Sequence, residues 1–387
     1  MRTLHSVLKH GGLFWDRTLT TPDACAQRFR RVQQAAAQSG DDAWLVFGDI
    51  ERHGNLVFVS NFLPRVRSAL VFVPRDGAPT LLANIGLRDV PAAKTITWID
   101  DVRPFGRLPK EVIGLLEQQG LKTGRIGTCG FDESLPITEL DAIEKGLPGV
   151  HWTARDEQIG QLRATKEEWE IAAMRRASDM ADTALASAPK LLHPGADLRR
   201  VIAAIDLQAR SRGAEDARYL IGIGAGNLRP VDDRTLAAGD VVTLYMTIEA
   251  QRYWAETART FVLGAADGKL KALFNRGEQA LAAMSAATRA GTAAADVARA
   301  SKAALADETL YHAARTYGLG NGIGLDSQEG PAVSETASGV LAKNATLTTR
   351  IIVQSEGVGI ALSQTVIART QGSEPITKPA PLIEIRS

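Results

Sequence analysis

The sequence predicts an α/β domain over residues 1–160 followed by an α+β domain over 161–387, and three observations carry that prediction. The chain has 387 residues, more than one hydrophobic core usually serves. Its first part alternates amphipathic helices with short β-branched runs, whereas its second part gathers helices and strands into separate blocks. Between them, Thr165-Lys-Glu-Glu168 has the form of a capping box, in which a Thr hydroxyl and a Glu three residues later satisfy two helix-terminal amides.

In the first domain, apolar residues at helical spacing predict a helix over 22–39. Strands are expected at 43–47, 56–59 and 69–73, with further helices near 109–119 and 135–145. Gly77, Gly106, Gly124 and Gly149 mark the turns between them. In the second domain the capping box opens a long helix carrying Ile171, Met174, Ala177 and Ala181, and a second helix over 197–213 follows the Pro194-Gly195 break. Strands dominate 219–263, helices return over 269–305, and strands close the domain over 346–368. Two helix-then-strand halves imply internal pseudo-symmetry, although no run of shared residues displays it. One loop is compositionally distinct, the glycine-rich Gly318-Leu-Gly-Asn-Gly-Ile-Gly324.

Composition narrows the function. Lysine and arginine number 45 against 44 aspartates and glutamates, a balance that gives no reason to expect nucleic acid or an anionic membrane as partner and leaves a small-molecule ligand open. Cys25 and Cys129 form neither a disulfide framework nor a thiolate metal cluster, so a reducing cytoplasm is the simplest setting. The first residues interrupt their apolar run with His and Lys, unlike a signal peptide, and no stretch is long enough to span a membrane.

Several motifs are excluded on their chemistry. Ile221-Gly-Ile-Gly-Ala-Gly226 lacks the spacing of a dinucleotide loop and opens no helix, so it reads as a tightly packed strand end. None of His5, His10, His53, His151, His193 and His312 stands at helical ligand spacing from another histidine, and His312 reads as a surface or cap residue. There is no Gly-x-Ser-x-Gly elbow. What remains is a polar set on the C-terminal strands and the glycine loop. The arms of a hairpin are expected to set Tyr245 opposite Glu256, and Tyr253, Glu256 and Arg259 to converge with Asn321, Asp326, Gln328 and Glu329. The alternative for the same residues is a solvated sheet face laced with salt bridges.

Segments 165–186, 227–264, 317–331 and 346–377 resemble the pita-bread family of aminopeptidase P, prolidase, methionine aminopeptidase and creatinase. The shared pieces are Asp233-Arg-Thr-Leu-x-x-Gly-Asp240, Thr257-Ala-Arg-Thr-Phe261, Gly320-Asn-Gly-Ile-Gly-Leu325 and Gln328-Glu-Gly-Pro331, in the family's order and spacing. Residues 28–32 and the Asn55-Leu-Val-Phe-Val-Ser-Asn-Phe62 run resemble the creatinase-type, ribonuclease-H-like N-terminal domain of the creatinase and prolidase branch. The resemblance therefore implies a pita-bread C-terminal domain.

The family's metallopeptidases hold two divalent ions with two aspartates, a histidine and two glutamates. The matching positions here are Tyr245, Glu256, Asn321, Arg350 and Ser363, of which only Glu256 is a carboxylate. No metal and no other cofactor is therefore expected. Creatinase works without metal, and the resemblance to it implies a metal-independent enzyme that hydrolyses or eliminates at a carbon–nitrogen bond of a small molecule. Creatinase's histidine base falls at Asn227, and the family's second histidine falls at Gln328, which leaves Glu256 and Glu329 as candidate bases. In this expectation Glu256 is activated by partial burial, and Tyr245 and Asn321 donate to developing charge. Arg350 pairs both with Glu256 and with an anionic group of the substrate. Gln328, Ser363, Tyr253 and Arg65 complete the substrate contacts, with Arg65 or Arg67 reaching across a homodimer as the N-terminal domain does in creatinase. Two further readings stay open: a non-catalytic pita-bread binding protein and a metal-dependent Xaa-Pro peptidase.

Overall fold

The structure, a computed structural model, describes residues 14–64, 67–224, 227–379 and 381–386, and the chain divides into two units, Met1–Arg163 and Ala164–Ser387.

In the first unit, α1 (Pro22–Gln38) begins where the Thr21 hydroxyl accepts the Ala24 amide at 3.1 Å, with proline at the first helical position. Its buried stripe is Cys25, Phe29, Val32 and Ala36. The chain continues through β1 (Ala43–Asp49), α2 (Gly54–Ser60), β2 (Ser68–Pro74), β3 (Thr80–Ala83), α3 (Val90–Ala93), β4 (Asp101–Pro104) and α4 (Leu108–Gln118). It ends with β5 (Arg125–Cys129), α5 (Phe131–Ser134), α6 (Ile137–Gly146), β6 (His151–Ala154) and α7 (Asp156–Ala164). The strands form one mixed sheet in the order β4-β3-β2-β1-β5-β6. The strand expected over 56–59 is instead helix α2: Leu56, Val57, Phe58 and Val59 are all buried, so burial on every side removed the periodicity that separates helix from strand.

In the second unit, α8 (Glu168–Ala186) starts two residues later than the Thr165 box implied. Glu167 is the cap, and the Glu170 carboxylate accepts the Glu167 amide at 2.8 Å. Lys166 is occupied elsewhere, its ammonium 2.8 Å from Glu329. After α9 (Leu198–Arg210) come β7 (Asp216–Ile223), β8 (Val241–Ala250), β9 (Tyr253–Leu263), α10 (Gly268–Ala287), α11 (Ala294–Leu305) and α12 (Glu308–Thr316). Then follow β10 (Gly320–Gly322), β11 (Glu329–Ala332), β12 (Thr346–Ser355), β13 (Val358–Ala368), β14 (Ser373–Pro375) and β15 (Ile383–Ile385). A nine-stranded sheet runs β11-β10-β12-β13-β9-β8-β7, with β14 on β13 and β15 on β9.

The helices pack on one side of this sheet. Leu244, Met246 and Ile248 of β8 and Ala255 and Phe261 of β9 meet Ala177, Ala181 and Leu185 of α8. Leu347, Ile351 and Val353 of β12 and Ile360 and Leu362 of β13 meet Leu273, Phe274 and Met284 of α10. Alternation along each strand then sends Tyr245, Glu256, Arg350 and Ser363 to the other side. Gly277 permits the close helix approach, since a Cβ there would lie 2.5 Å from Ile360 Cδ1.

Candidate functional site

Register decides which side chains share the helix-free face. Tyr245 pairs with Ala258 across β8 and β9, Ala258 with Ser363 across β9 and β13, and Ser363 with Arg350 across β13 and β12. These four residues form one row over four strands, and Glu256 joins it from two positions along β9. Tyr245 and Glu256 are thus diagonal neighbours rather than directly opposed, because Thr247 faces Glu256. The length of the tyrosine covers the diagonal.

Glu256 is the hub, 1% exposed. The Ser363 hydroxyl donates to its Oε1 at 2.5 Å, while the Tyr245 hydroxyl at 2.6 Å and Arg350 Nη2 at 3.1 Å donate to Oε2. The same Nη2 donates to Asn321 Oδ1 at 2.5 Å. Asn321 is oriented for this by its own Nδ2, which donates to the carbonyls of Gly322 at 2.7 Å and Ser327 at 3.1 Å. Its strand reaches β12 only because position 320 is glycine: φ is +146°, and a Cβ there would lie 2.0 Å from the Thr348 carbonyl oxygen. Burial raises the Tyr245 phenol well above its usual value and the Glu256 carboxylate raises it further, so Tyr245 stays a neutral donor. The solvated salt-bridge face is not what forms. This network is buried.

Beside it lies an apolar bed of Ala258, Ile352 and Ala361, flanked by Leu228, Tyr245 and Tyr317. Beyond the bed, the Tyr317 hydroxyl donates to Asn227 Oδ1 at 2.6 Å, and Gln354 Nε2 donates to the Tyr317 hydroxyl at 3.1 Å. A cavity of about 430 Å³ also touches Ala258 and Ser363, but it lies mostly against α10, β13 and β14, lined by Leu281, Ser285, Leu362, Gln364 and Pro375.

Other candidates are held elsewhere. Tyr253 and Arg259 stand at odd separation from Glu256 and so face α8, where Tyr253 donates to Glu170 at 2.5 Å and Arg259 to Asp182 at 2.7 Å. The Glu329 carboxylate accepts from Lys166 at 2.8 Å and from the amides of Leu325 at 2.8 Å and Asp326 at 3.2 Å, which fixes the glycine loop rather than serving Glu256. Gln328 is exposed. Arg67, in the first unit, donates to Asn84 at 3.0 Å. Arg65, His5, His10, Ala225 and Gly226 lie outside the described residues. Leu228, Ile352, Ala361, Tyr317 and Gln354 escaped the sequence reading, since apolar and amide residues on a buried sheet carry no chemical signature.

The five positions matching the family's metal ligands do not fit a divalent cation. At 4 Å and an effective dielectric constant of 20, Arg350 would oppose such an ion by about 8 kcal/mol, and the one carboxylate of the set, Glu256, is already engaged by Ser363, Tyr245 and Arg350. No further anionic ligand remains to offset the ion's dehydration. Among the described residues no group of three or more His, Cys, Asp or Glu is arranged to hold a metal. No described helix is long and apolar enough to cross a membrane.

Residues 172–370, just over half the chain, match the model of Metallopeptidase family M24, and residues 28–165 match the Creatinase/Prolidase N-terminal domain. The Xaa-Pro dipeptidase of Pyrococcus horikoshii is 25% identical over 260 residues, covering 65% of this chain and 74% of that protein. A Mycobacterium tuberculosis protein named "Probable dipeptidase PepE" is 28% identical over 282 residues, covering 70% of each. The X-Pro aminopeptidase structure from Thermotoga maritima superposes with a TM-score of 0.82 at 21% identity, covering 92% of this chain and 99% of that one. The fold is therefore the creatinase-type α/β domain followed by the pita-bread domain, as the resemblance implied. The relatives' names overturn the expected creatinase-like small-molecule chemistry, since they are named as peptidases, and the matched model is that of a metallopeptidase family, against the expected metal independence. With its catalytic-type domain and its N-terminal domain both matched in order, this chain belongs to metallopeptidase family M24.

Proposed function

We propose that this chain acts on short peptides, with Xaa-Pro dipeptides as the first class to test. The observation that carries the reading is the buried row of Tyr245, Glu256, Ser363 and Arg350 beside an apolar bed, a combination suited to a small ligand with one polar end and a compact apolar body. The peptide class comes from the relatives, which are named for Xaa-Pro and dipeptide substrates. Within this reading Tyr245, Glu256, Asn321, Arg350 and Ser363 orient the ligand, and Ala258, Ile352 and Ala361 receive its apolar part.

A second reading, metal-dependent hydrolysis of the same peptides, is favoured by the family and by the relatives' names. The donor set described above opposes it, and no step is derived through a metal. One experiment separates the two: Ala-Pro, Gly-Pro and Ala-Leu are incubated with the protein in chelator and in manganese, with binding read by calorimetry and free amino acids by mass spectrometry. The proposal expects Xaa-Pro binding in chelator. Manganese-dependent release of proline would establish the second reading, and no binding of any dipeptide under either condition would end the proposal. A homodimer and a cytoplasmic location belong to the same reading, the latter supported by two buried free cysteines. Light scattering tests the former.

A further inference from the structure

We infer that Arg350 is the receptor for a carboxylate of the ligand, so that the centre of this site takes an anion where its relatives' metal-ligand positions would take cations. The inference rests on the short-peptide reading for the identity of the ligand, but its argument is local.

Arg350 is 8% exposed, and its Nη2 is shared by Glu256 and Asn321, while its Nε is buried without a hydrogen-bond partner. An unsatisfied buried donor on a charged group is unfavourable, and with both Nη2 hydrogens committed to Glu256 and Asn321 a ligand carboxylate would accept from Nε through one oxygen, in a charge-assisted hydrogen bond. Glu256 does not satisfy Nε, since it accepts from Nη2 alone and spends its other acceptor capacity on Ser363 and Tyr245. The guanidinium carbon lies 5.9 Å from the Tyr245 ring centroid, and the tyrosine thus limits how the guanidinium can turn. Two residues further along β12, on the same face, Ile352 begins the apolar bed with Ala361 opposite it. A carboxylate on Arg350 therefore places the attached body on Ile352, Ala361 and Ala258. That order, carboxylate then compact apolar group, describes the C-terminal residue of a dipeptide ending in proline or a small aliphatic residue.

The test compares Ala-Pro with its C-terminal amide by calorimetry in chelator, on wild type, Arg350→Lys and the Glu256→Gln/Arg350→Gln double variant, which removes both charges together and so leaves no buried ion alone. Wild type is expected to bind the acid at least tenfold tighter than the amide. Lysine keeps part of that preference and the double variant abolishes it. Equal binding of acid and amide by wild type, or an unchanged preference in the double variant, overturns the receptor assignment and leaves the short-peptide reading standing. If Ala-Pro fails but N-acetylproline binds with the same dependence on Arg350, the receptor stands and the short-peptide reading falls. If neither binds, both fall.

Discussion

Hairpins β8–β9 and β12–β13 are the same object built twice. A shift of 105 residues carries β8, starting at Val241, onto β12, starting at Thr346, and β9, starting at Tyr253, onto β13, starting at Val358. Their turns agree too: Gln251 and Arg252 have φ of +51° and +70°, and Glu356 and Gly357 have +50° and +86°. Where the hairpins meet, the ladder between β9 and β13 is a single register pair, Ala258 with Ser363. On either side a threonine hydroxyl bridges the gap. Thr260 Oγ1 accepts the Ala361 amide at 3.1 Å and donates to its carbonyl at 3.2 Å, and Thr365 Oγ1 does the same for Glu256 at 2.9 and 3.0 Å. The same shift relates the two threonines, and it also relates Tyr245 to Arg350 and Glu256 to Ala361. The frame repeats, whereas the chemistry does not. One half supplies the carboxylate, the other the cation that pairs with it, so the charge balance of the site exists only when both halves close.

The largest way to break that balance is to remove one charge. Arg350→Gln leaves Glu256 buried without its cation and is expected to lower unfolding stability by about 3–5 kcal/mol, with much of the loss recovered in the Glu256→Gln/Arg350→Gln double variant. Urea denaturation measures both. A double variant no more stable than the single one would mean that the pair is not what holds this centre.

The seam sharpens the comparison at a smaller scale. Thr260→Val and Thr365→Val each strand a buried amide and carbonyl, at a cost of about 1–3 kcal/mol. If the two bridges are equivalent, their midpoints in urea shift alike. A much larger loss for Thr365 would show that the acid-bearing half leans on its bridge more than its twin does.

The smallest effect is in the pH dependence of Tyr245, the partner of Arg350 under the shift. Its folded value lies above the ordinary value near 10, chiefly through burial and then through Glu256. Below pH 10 the unfolded and folded phenols are both protonated, so the contribution is fully present. As pH rises further the unfolded state loses its proton first, and stability falls by up to about 1.4 kcal/mol per pH unit. Thermal melts of wild type and Tyr245→Phe should therefore converge as pH climbs above about 10, and parallel curves would contradict the burial of this hydroxyl.

Much of this was legible in the sequence: the two helix-then-strand halves implied the pseudo-symmetry, but not which residue of one half corresponds to which of the other. The blocks over 219–263 and 346–368 held β8, β9, β12 and β13, the spacing of the motifs shared with the family pointed to Tyr245, Glu256 and Asn321, and alignment of the closing strands to the family added Arg350 and Ser363; the structure brings these five together. Only Thr243 with Thr348 and Thr260 with Thr365 are identical between 241–263 and 346–368, because a hairpin's frame needs apolar residues on one face and not particular ones. Strands β3 to β6 were missed because each is only 4 or 5 residues long and reads like the loops around it. Tyr253 and Glu329 were polar residues close in sequence to the site but on the wrong face or committed to the loop, a distinction that rests on register and hydrogen bonds and not on residue type.

The central claim is that Arg350 stands where a cation would otherwise be bound, and metal content tests it most directly. Protein purified without chelator and then equilibrated with manganese, analysed by plasma mass spectrometry, is expected to retain no stoichiometric metal. A Tyr245→Asp, Glu256→Asp, Asn321→His, Arg350→Glu, Ser363→Glu variant, which restores the family's two aspartates, histidine and two glutamates, is expected to retain it. One or two equivalents of metal held by the wild-type chain and lost on Glu256→Ala would contradict the account.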